Sequence, residues 1–305
     1  MAIRFGQYGA HRHLEIIPGL IAWGVLAIAL GLSLFAPVAG IIFIIVFDLY
    51  WMLRVYYFVI HVIVAYRSYR KTISVDWYAE VQNIDGWERI YHLIMLPTFQ
   101  EDESIVEEAL RAVLRGPYRT DRVIIALGGE EKDQKNFLPI AEAMREKYAD
   151  QFAGFITTVH PYGQKGEIPG KGSNLHHMGG EVKKVIDAMG IPYDDIVVSA
   201  FDIDTVAHPQ YFAKLSHLFL TVPNPTRTSF QPVTVFSNNI WSATAPVRIA
   251  AFGTTFWLLG ELVRPERLWT FSSHSMPWRM LVDVGFWEPD LVSEDSRIFM
   301  QALLK

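Results

Sequence analysis

Two long apolar runs open the chain, and a shorter alternation of apolar and polar stretches fills the remainder. Residues 14–35 are almost wholly apolar, and after Ala36-Pro37 a second run extends from 38 to about 66. At 1.5 Å per residue, a helix of either run is long enough to cross a hydrocarbon core of roughly 30 Å. The second run contains Asp48, Arg54 and His61, and the last two, seven apart, share one helical face. Such groups are costly in lipid and are expected to pair or to reach an interface. Two such runs in succession favour a transmembrane hairpin over a secretory leader or a buried soluble hairpin. Arg4 and Arg12 precede the first run, Arg67, Arg70 and Lys71 follow the second, and the turn between them has no basic residue. The positive-inside rule then puts both ends in the cytoplasm.

The rest of the chain predicts an α/β domain over 89–305, joined to the hairpin of 1–67 by a charged linker over 68–88. Short apolar runs predict strands at 91–97, 122–127, 155–160 and 195–200. Helical spacing predicts helices at 102–114, 136–148, 174–189 and 294–304. Four strand–helix alternations imply a mostly parallel sheet with helices on both faces. Ligands of such sheets bind beyond the carboxyl ends of the strands. The apolar run 253–262 is too short to span a bilayer and suits an interfacial or core helix.

Composition sharpens this picture in three ways. The chain is 51% hydrophobic over 305 residues, and the excess sits before residue 67. A net charge of −5 leaves no basic footprint for nucleic acid. With no cysteine, a metal can be held only by carboxylate or imidazole.

Three segments carry candidate chemistry. Asp202-Ile203-Asp204 follows the fourth strand, and its two hard oxygen ligands suit Mg²⁺ or Mn²⁺ bridging a diphosphate. Isolated, such a pair is common enough by chance to be a surface turn. Lys171-Gly172-Ser173-Asn174 lies in a Gly/Pro-rich loop before a helix, where a lysine can reach phosphate, although the Walker pattern is absent. Ser293-Glu294-Asp295 opens the last helix. Acidic residues there are ordinary helix-start complements, but a general base for a hydroxyl needs such a carboxylate. His176, His177 and His208 lack zinc-type spacing and read as surface or capping residues. Residues 269–278, mixing aromatic and hydroxyl side chains, suit sugar stacking or a membrane interface.

Taken in order, these segments resemble glycosyltransferase family 2, in particular its cellulose-synthase-like and hyaluronan-synthase-like membrane members. The matching pieces are Pro97-Thr98-Phe99-Gln100-Glu101, Lys171-Gly172-Ser173-Asn174-Leu175, Phe201-Asp202-Ile203-Asp204 and Ser293-Glu294-Asp295. The resemblance implies a GT-A (Rossmann-like, mixed and mostly parallel) domain and an inverting hexosyl transfer. It implies Asp295, with Glu294, as catalytic carboxylates, Asp295 being the base. It also implies Asp202 and Asp204 at the metal, and Pro97, Thr98, Glu101, Lys171 and Asp202 at the donor. The implied partners are a nucleoside-diphosphate sugar, a UDP-sugar first among them, a polysaccharide or glycolipid acceptor, and the bilayer of the cell inner membrane. The family's Asp-Asp-Gly-Ser-like run is replaced by Leu127-Gly128-Gly129-Glu130-Glu131, and Gln100 stands where asparagine is usual. The Gln-x-x-Arg-Trp motif and later membrane helices of the synthases are absent before Lys305, which falls in mid-helix, so a truncated chain or a branch without those parts is expected. The competing expectations are transfer to a polyprenyl phosphate, nucleotidyl transfer, and a non-catalytic membrane scaffold.

Overall fold

The computed structural model describes residues 8–237, 240–267 and 269–305, with the backbone alone at 8–15 and 265. Arg4 and the side chain of Arg12 lie outside the described residues. The chain divides into two compact units between Ile63 and Val64.

The first unit comprises α1 (Tyr8–Phe35) and most of α2 (Pro37–Ile73). Pro37 occupies the first position of α2, where its missing N–H costs no helical bond. Within the described residues, Ile16–Phe35 and Pro37–Ile73 are long and apolar enough to cross a membrane. Their side chains, Leu20, Trp23, Ile41 and Leu53 among them, remain exposed, and a lipid phase would cover such a surface. His61 donates from Nδ1 to the carbonyl of Tyr57 at 2.7 Å, so it is paired within its own helix. The segment expected as an aperiodic linker is largely helical. α2 continues to Ile73, and α3 (Trp77–Val81) follows, its N-cap Asp76 accepting from the backbone N–H of Tyr78 and Ala79.

The second unit is a three-layer α/β structure. Among the described residues, five strands form one sheet in the order β3-β2-β1-β4-β5: β1 (Tyr91–Pro97), β2 (Val123–Glu130), β3 (Gly154–His160), β4 (Ile196–Ala200) and β5 (His274–Pro277). The first four pair in parallel, and β5 adds an antiparallel edge against β4. Alternate side chains of β1 divide between two cores, as the pleat requires. Ile94 and Leu96 meet α4 (Glu103–Leu114) and α5 (Gln134–Tyr148) through Val106, Leu110, Phe137 and Met144. Leu93 and Met95 meet α6 (Lys171–Met189) through Leu175, Met178 and Val182, with Trp278, Phe286 and Ile298 beyond. Burial on both faces explains why β1, β2 and β4 read as continuous apolar runs. The remaining helices are α7 (Tyr211–Thr221), α8 (Ala245–Glu261), α9 (Trp278–Val284) and α10 (Glu294–Leu303).

Several bounds differ from the sequence expectation, each for a local reason. β2 runs three residues further, through Gly128-Gly129-Glu130, paired with Thr158, Val159 and His160. A Gly-Gly pair reads as a turn. Here it permits close packing on both faces of a strand: a Cβ at Gly128 would lie 2.2 Å from Met178 Sδ, and one at Gly129 2.2 Å from the Phe137 ring. α6 begins at Lys171 rather than at 174, because the Ser173 hydroxyl accepts from the Gly170 N–H at 3.2 Å and donates to the Gly170 carbonyl at 2.9 Å. The apolar run at 253–262 belongs to a helix that starts at Ala245. α7, α9 and β5 have no counterpart among the predicted elements.

The Gly129 contact gives a direct test of the strand extension. Gly129→Ala should destabilise the fold by about 1–3 kcal/mol through overpacking. Thermal unfolding of the full chain in detergent checks this, and an unchanged midpoint would contradict the close Phe137 contact.

Candidate active site

The carboxyl edge of the parallel strands is where the charged residues gather. β4 ends at Ala200, and the chain stays tied to β1 for one more residue through Phe201 N–H to the Met95 carbonyl at 3.0 Å. A turn follows, closed by Thr205 N–H to the Asp202 carbonyl at 2.9 Å. Ile203 is buried in the sheet's core, which leaves Asp202 and Asp204 more exposed on either side of it. Lys171 is the first residue of α6, and Glu294 and Asp295 are the first two of α10. The two helix starts come together because position 172 is glycine: a Cβ there would lie 2.9 Å from Glu294 Cβ. One heptad along α6, Gly179 gives room in the same way to the Phe286 ring, 2.6 Å from its ideal Cβ.

This geometry puts one ammonium among three carboxylates. Lys171 Nζ is 2.7 Å from Asp202 Oδ1, 3.2 Å from Asp295 Oδ2 and 3.9 Å from Glu294 Oε1. It also donates to the Ser272 hydroxyl at 3.2 Å, and that hydroxyl donates in turn to Asp202 Oδ2. Burial alone would lower the Lys171 pKa, but the charges of Asp295 and Asp202 outweigh it and raise it. Burial likewise works to raise Asp202, and the Lys171 charge and hydrogen bond prevail and lower it. Glu294 is raised, by burial first and by Asp295 next. His274 Nδ1 donates to the Phe271 carbonyl at 2.9 Å and lies 3.5 Å from Asp295 Oδ1. Burial lowers its pKa and so favours a neutral ring.

The sequence-predicted residues thus fall into two groups. Lys171, Asp202, Glu294 and Asp295 converge. Pro97, Thr98 and Glu101 sit on the β1 exit: Pro97 ends the strand, and Thr98 donates to the Gly128 carbonyl from its N–H at 2.7 Å and its hydroxyl at 3.2 Å. Gln100 adopts a left-handed conformation with φ 58°, a region that favours asparagine among non-glycine residues, and its N–H is held by Asp133 Oδ2 at 2.8 Å. Glu101 is raised by burial and then by the negative charge of Asp204, so these two carboxylates feel one another.

The sequence assigns no individual role to Ser272, Thr270 or His274. Thr270 and Ser272 belong to the bend before β5 and His274 is the first residue of that strand, all within the aromatic and hydroxyl-rich segment 269–278, and Ser273 takes a left-handed φ of 63° in the bend. The hydroxyl content of that segment was the available signal. His176 Nδ1 donates to the Trp287 carbonyl at 2.7 Å, and His208 Nδ1 accepts from the Gln210 N–H at 3.2 Å, both structural roles.

Among the described residues, no three acidic or imidazole side chains converge as a ready metal cage. Mg²⁺ is commonly held by one or two carboxylates together with substrate phosphates and water. Both Asp202 oxygens are engaged, Oδ1 by Lys171 Nζ at 2.7 Å and Oδ2 by the Ser272 hydroxyl. The like-charge crowding of Asp204 with Glu101 fits a divalent cation that arrives with a diphosphate.

A second charged group closes the far end of this edge. His160, at the end of β3, faces Glu130 Oε2 at 2.9 Å from Nδ1 and Glu167 Oε2 at 2.8 Å from Nε2. With both carboxylates ionised, both ring nitrogens donate and the ring carries its charge. Burial opposes this charge, and the two carboxylates outweigh it and raise the His160 pKa. Glu167 lies in the loop before α6, so the imidazolium straps that loop to the sheet.

No family model matches the sequence, and no curated protein matches it. Among solved structures, the chain is similar to the mannosyltransferase PcManGT from Pyrobaculum calidifontis in complex with GDP-Man and Mn²⁺, with a TM-score of 0.44 and 14% identity, over 79% of this chain and 62% of that one. It is also similar to S. aureus TarS 1–349 in complex with UDP, with a TM-score of 0.40 and 13% identity, over 70% of this chain and 55% of that one. The chain thus spans less than two thirds of the length of either structure.

The His160 strap carries a pH dependence of defined sign. Its folded pKa lies above the ordinary 6.5, so its stabilisation is complete below that value and is lost as pH rises through the raised one. Hydrogen exchange of the amides at 162–168 and 170, corrected for intrinsic rate, should show protection that is full below pH 6.5 and falls as pH rises above it. His160→Gln should remove that dependence, and protection that does not change with pH in the parent protein would refute the strap.

Proposed function

We propose that the chain is a membrane-bound inverting glycosyltransferase of the family 2 type, moving a sugar from a nucleoside-diphosphate sugar to a hydroxyl of a polysaccharide or glycolipid. The observation that carries this reading is the meeting of Lys171, Asp202, Glu294, Asp295 and Ser272 at the carboxyl edge of a mostly parallel sheet. That edge is where ligands of open α/β sheets bind.

In this reading Lys171, at the start of a 19-residue helix, binds the donor's diphosphate with charge and helix-terminal N–H groups. Asp202 orients Lys171, and the β1 exit from Pro97 to Glu101 borders the nucleotide. Asp202 and Asp204 would hold Mg²⁺ or Mn²⁺, which when bound neutralises charge on the leaving diphosphate. Asp295 accepts the proton of the acceptor hydroxyl. The hydroxyl oxygen forms its bond to the anomeric carbon as the carbon–oxygen bond to the diphosphate breaks, and the nucleoside diphosphate leaves. One displacement inverts the anomeric centre. Glu294 adds negative charge beside Asp295, and the Ser272 hydroxyl positions Asp202. The exposed Arg70 and Lys71 in the last turn of α2, with Arg67 one turn earlier, support an inner-membrane protein with its catalytic unit in the cytoplasm.

Two measurements test this. Incubation with a panel of nucleotide sugars should release nucleoside diphosphate with Mg²⁺ or Mn²⁺ present, and a chelator should abolish release. Pyrophosphate as the product would instead mark a nucleotidyltransferase. Asp295→Asn should lower transfer by about 10²–10⁴-fold, the usual contribution of a general base, with donor affinity retained. Transfer at the parent rate would remove Asp295 from the base role.

A further inference from the structure

A cavity of about 690 Å³ lies within the second unit and shares a wall with the carboxylate site. On one side it is bounded by the last turns of α2, with Ala65, Tyr69 and Thr72, and on another by Leu215 and Leu218 of α7 and Leu259 of α8. Its lining is mostly apolar, and no acidic residue contributes among the described residues. Its volume falls in the usual range for small-ligand sites.

The shared wall is specific. Thr270 lines the cavity, and its hydroxyl donates to the backbone carbonyl of Asp295. Gln231 also lines it, accepting from the Phe271 N–H at 2.6 Å and donating to the Ser272 carbonyl at 3.5 Å. One layer of residues therefore separates the cavity from the groups around Lys171.

A single lysine ammonium enters the lining. Lys214 Nζ sits 4.0 Å over the Trp77 ring and 3.5 Å from Thr72 Oγ1, and no carboxylate pairs with it among the described residues. It is half-buried, and burial lowers its pKa. An ammonium held by an aromatic face and a hydroxyl has no opposite charge beside it among the described residues, which leaves it open to an incoming anion. The wall helix is the end of an apolar span, and its exposed Arg67, Arg70 and Lys71 form a basic belt of the kind that attracts anionic headgroups. Apolar lining, an unpaired cation and a basic belt together match an anionic amphiphile.

We infer that this cavity receives the apolar chain of a phosphate-bearing glycolipid, with the phosphate at Lys214, and that this lipid is the acceptor whose hydroxyl reaches Asp295 past Thr270. The acceptor role rests on the transferase reading above; the binding does not.

The test uses the full chain in phosphatidylcholine nanodiscs and two chain-brominated probes, dodecyl phosphate and dodecanol, with quenching of the cavity tryptophans Trp77 and Trp269 as the signal. Dodecyl phosphate should quench saturably. Lys214→Gln should weaken it by about tenfold, as expected for one charge-assisted contact, while leaving dodecanol unchanged. Leu218→Trp, which fills the cavity, should remove saturable quenching by both. Equal affinity for the two probes, or Lys214→Gln binding as the parent does, overturns the phosphate site. No saturable quenching in the parent overturns the cavity. In a separate arm, labelled nucleotide sugar and a total membrane lipid extract should give label in organic-extractable lipid phosphate, with Lys214→Gln raising the KM for lipid more than it lowers kcat. Donor turnover that leaves the lipid unlabelled overturns the acceptor inference alone, and lipid binding without donor turnover overturns the transferase reading alone.

Discussion

One ammonium holds the carboxyl edge of this domain together. Lys171 compensates Asp202, Asp295 and Glu294, which come from the turn after β4 and the start of α10. Glu294 is nearly buried, and Asp295 and Lys171 are mostly so. Carboxylates brought this close without a cation would repel and draw protons to themselves. The contact is also mutual: the acids raise the lysine's pKa against burial, and the lysine lowers that of Asp202 against burial. Breaking a mostly buried ionic group by removing one member leaves the others uncompensated, which costs more than the intact group is worth as net stability.

Backbone packing makes that meeting possible. Gly172 lets the start of α10 approach the start of α6, and Gly179 seats Phe286 on the same helix face. Gly128 and Gly129 do the equivalent for β2, admitting Met178 on one side and Phe137 on the other. The antiparallel edge strand β5 completes the frame. Its Ser275 hydroxyl bonds Ser199 at 2.7 Å and Tyr211 at 2.8 Å, and the bend before it delivers Ser272 to Asp202. The same bend carries Thr270 and Phe271, which connect the carboxylates to the cavity behind them.

Much of the scaffold is legible along the chain. The strands at 91–97 and 195–200 fall within a residue of their structural bounds, because an apolar run buried on both faces announces itself, and the partly buried edge strand at 155–160 falls as close. The apolar helices near the amino terminus are equally plain from length. Legibility fails where a residue's local preference and its tertiary use diverge. Gly128-Gly129 reads as a turn and serves as close-packed strand. Lys171-Gly172 reads as loop and begins a helix. β5 is four residues long and rich in polar groups, so neither length nor alternation marks it.

By itself, then, the sequence determined the four parallel strands and the helices between them, the two long apolar helices and the residue types that could bear chemistry. Periodicity and side-chain chemistry are local properties and survive in one dimension. The tertiary structure alone decided which of those residues meet. Lys171 and Asp295 are 124 positions apart and touch because two glycines on α6 admit the segment that carries Asp295. Ser272 and the shared wall at Thr270 have no signature in spacing. They are set by how an edge strand docks on β4, a matter of packing between segments far apart in the chain.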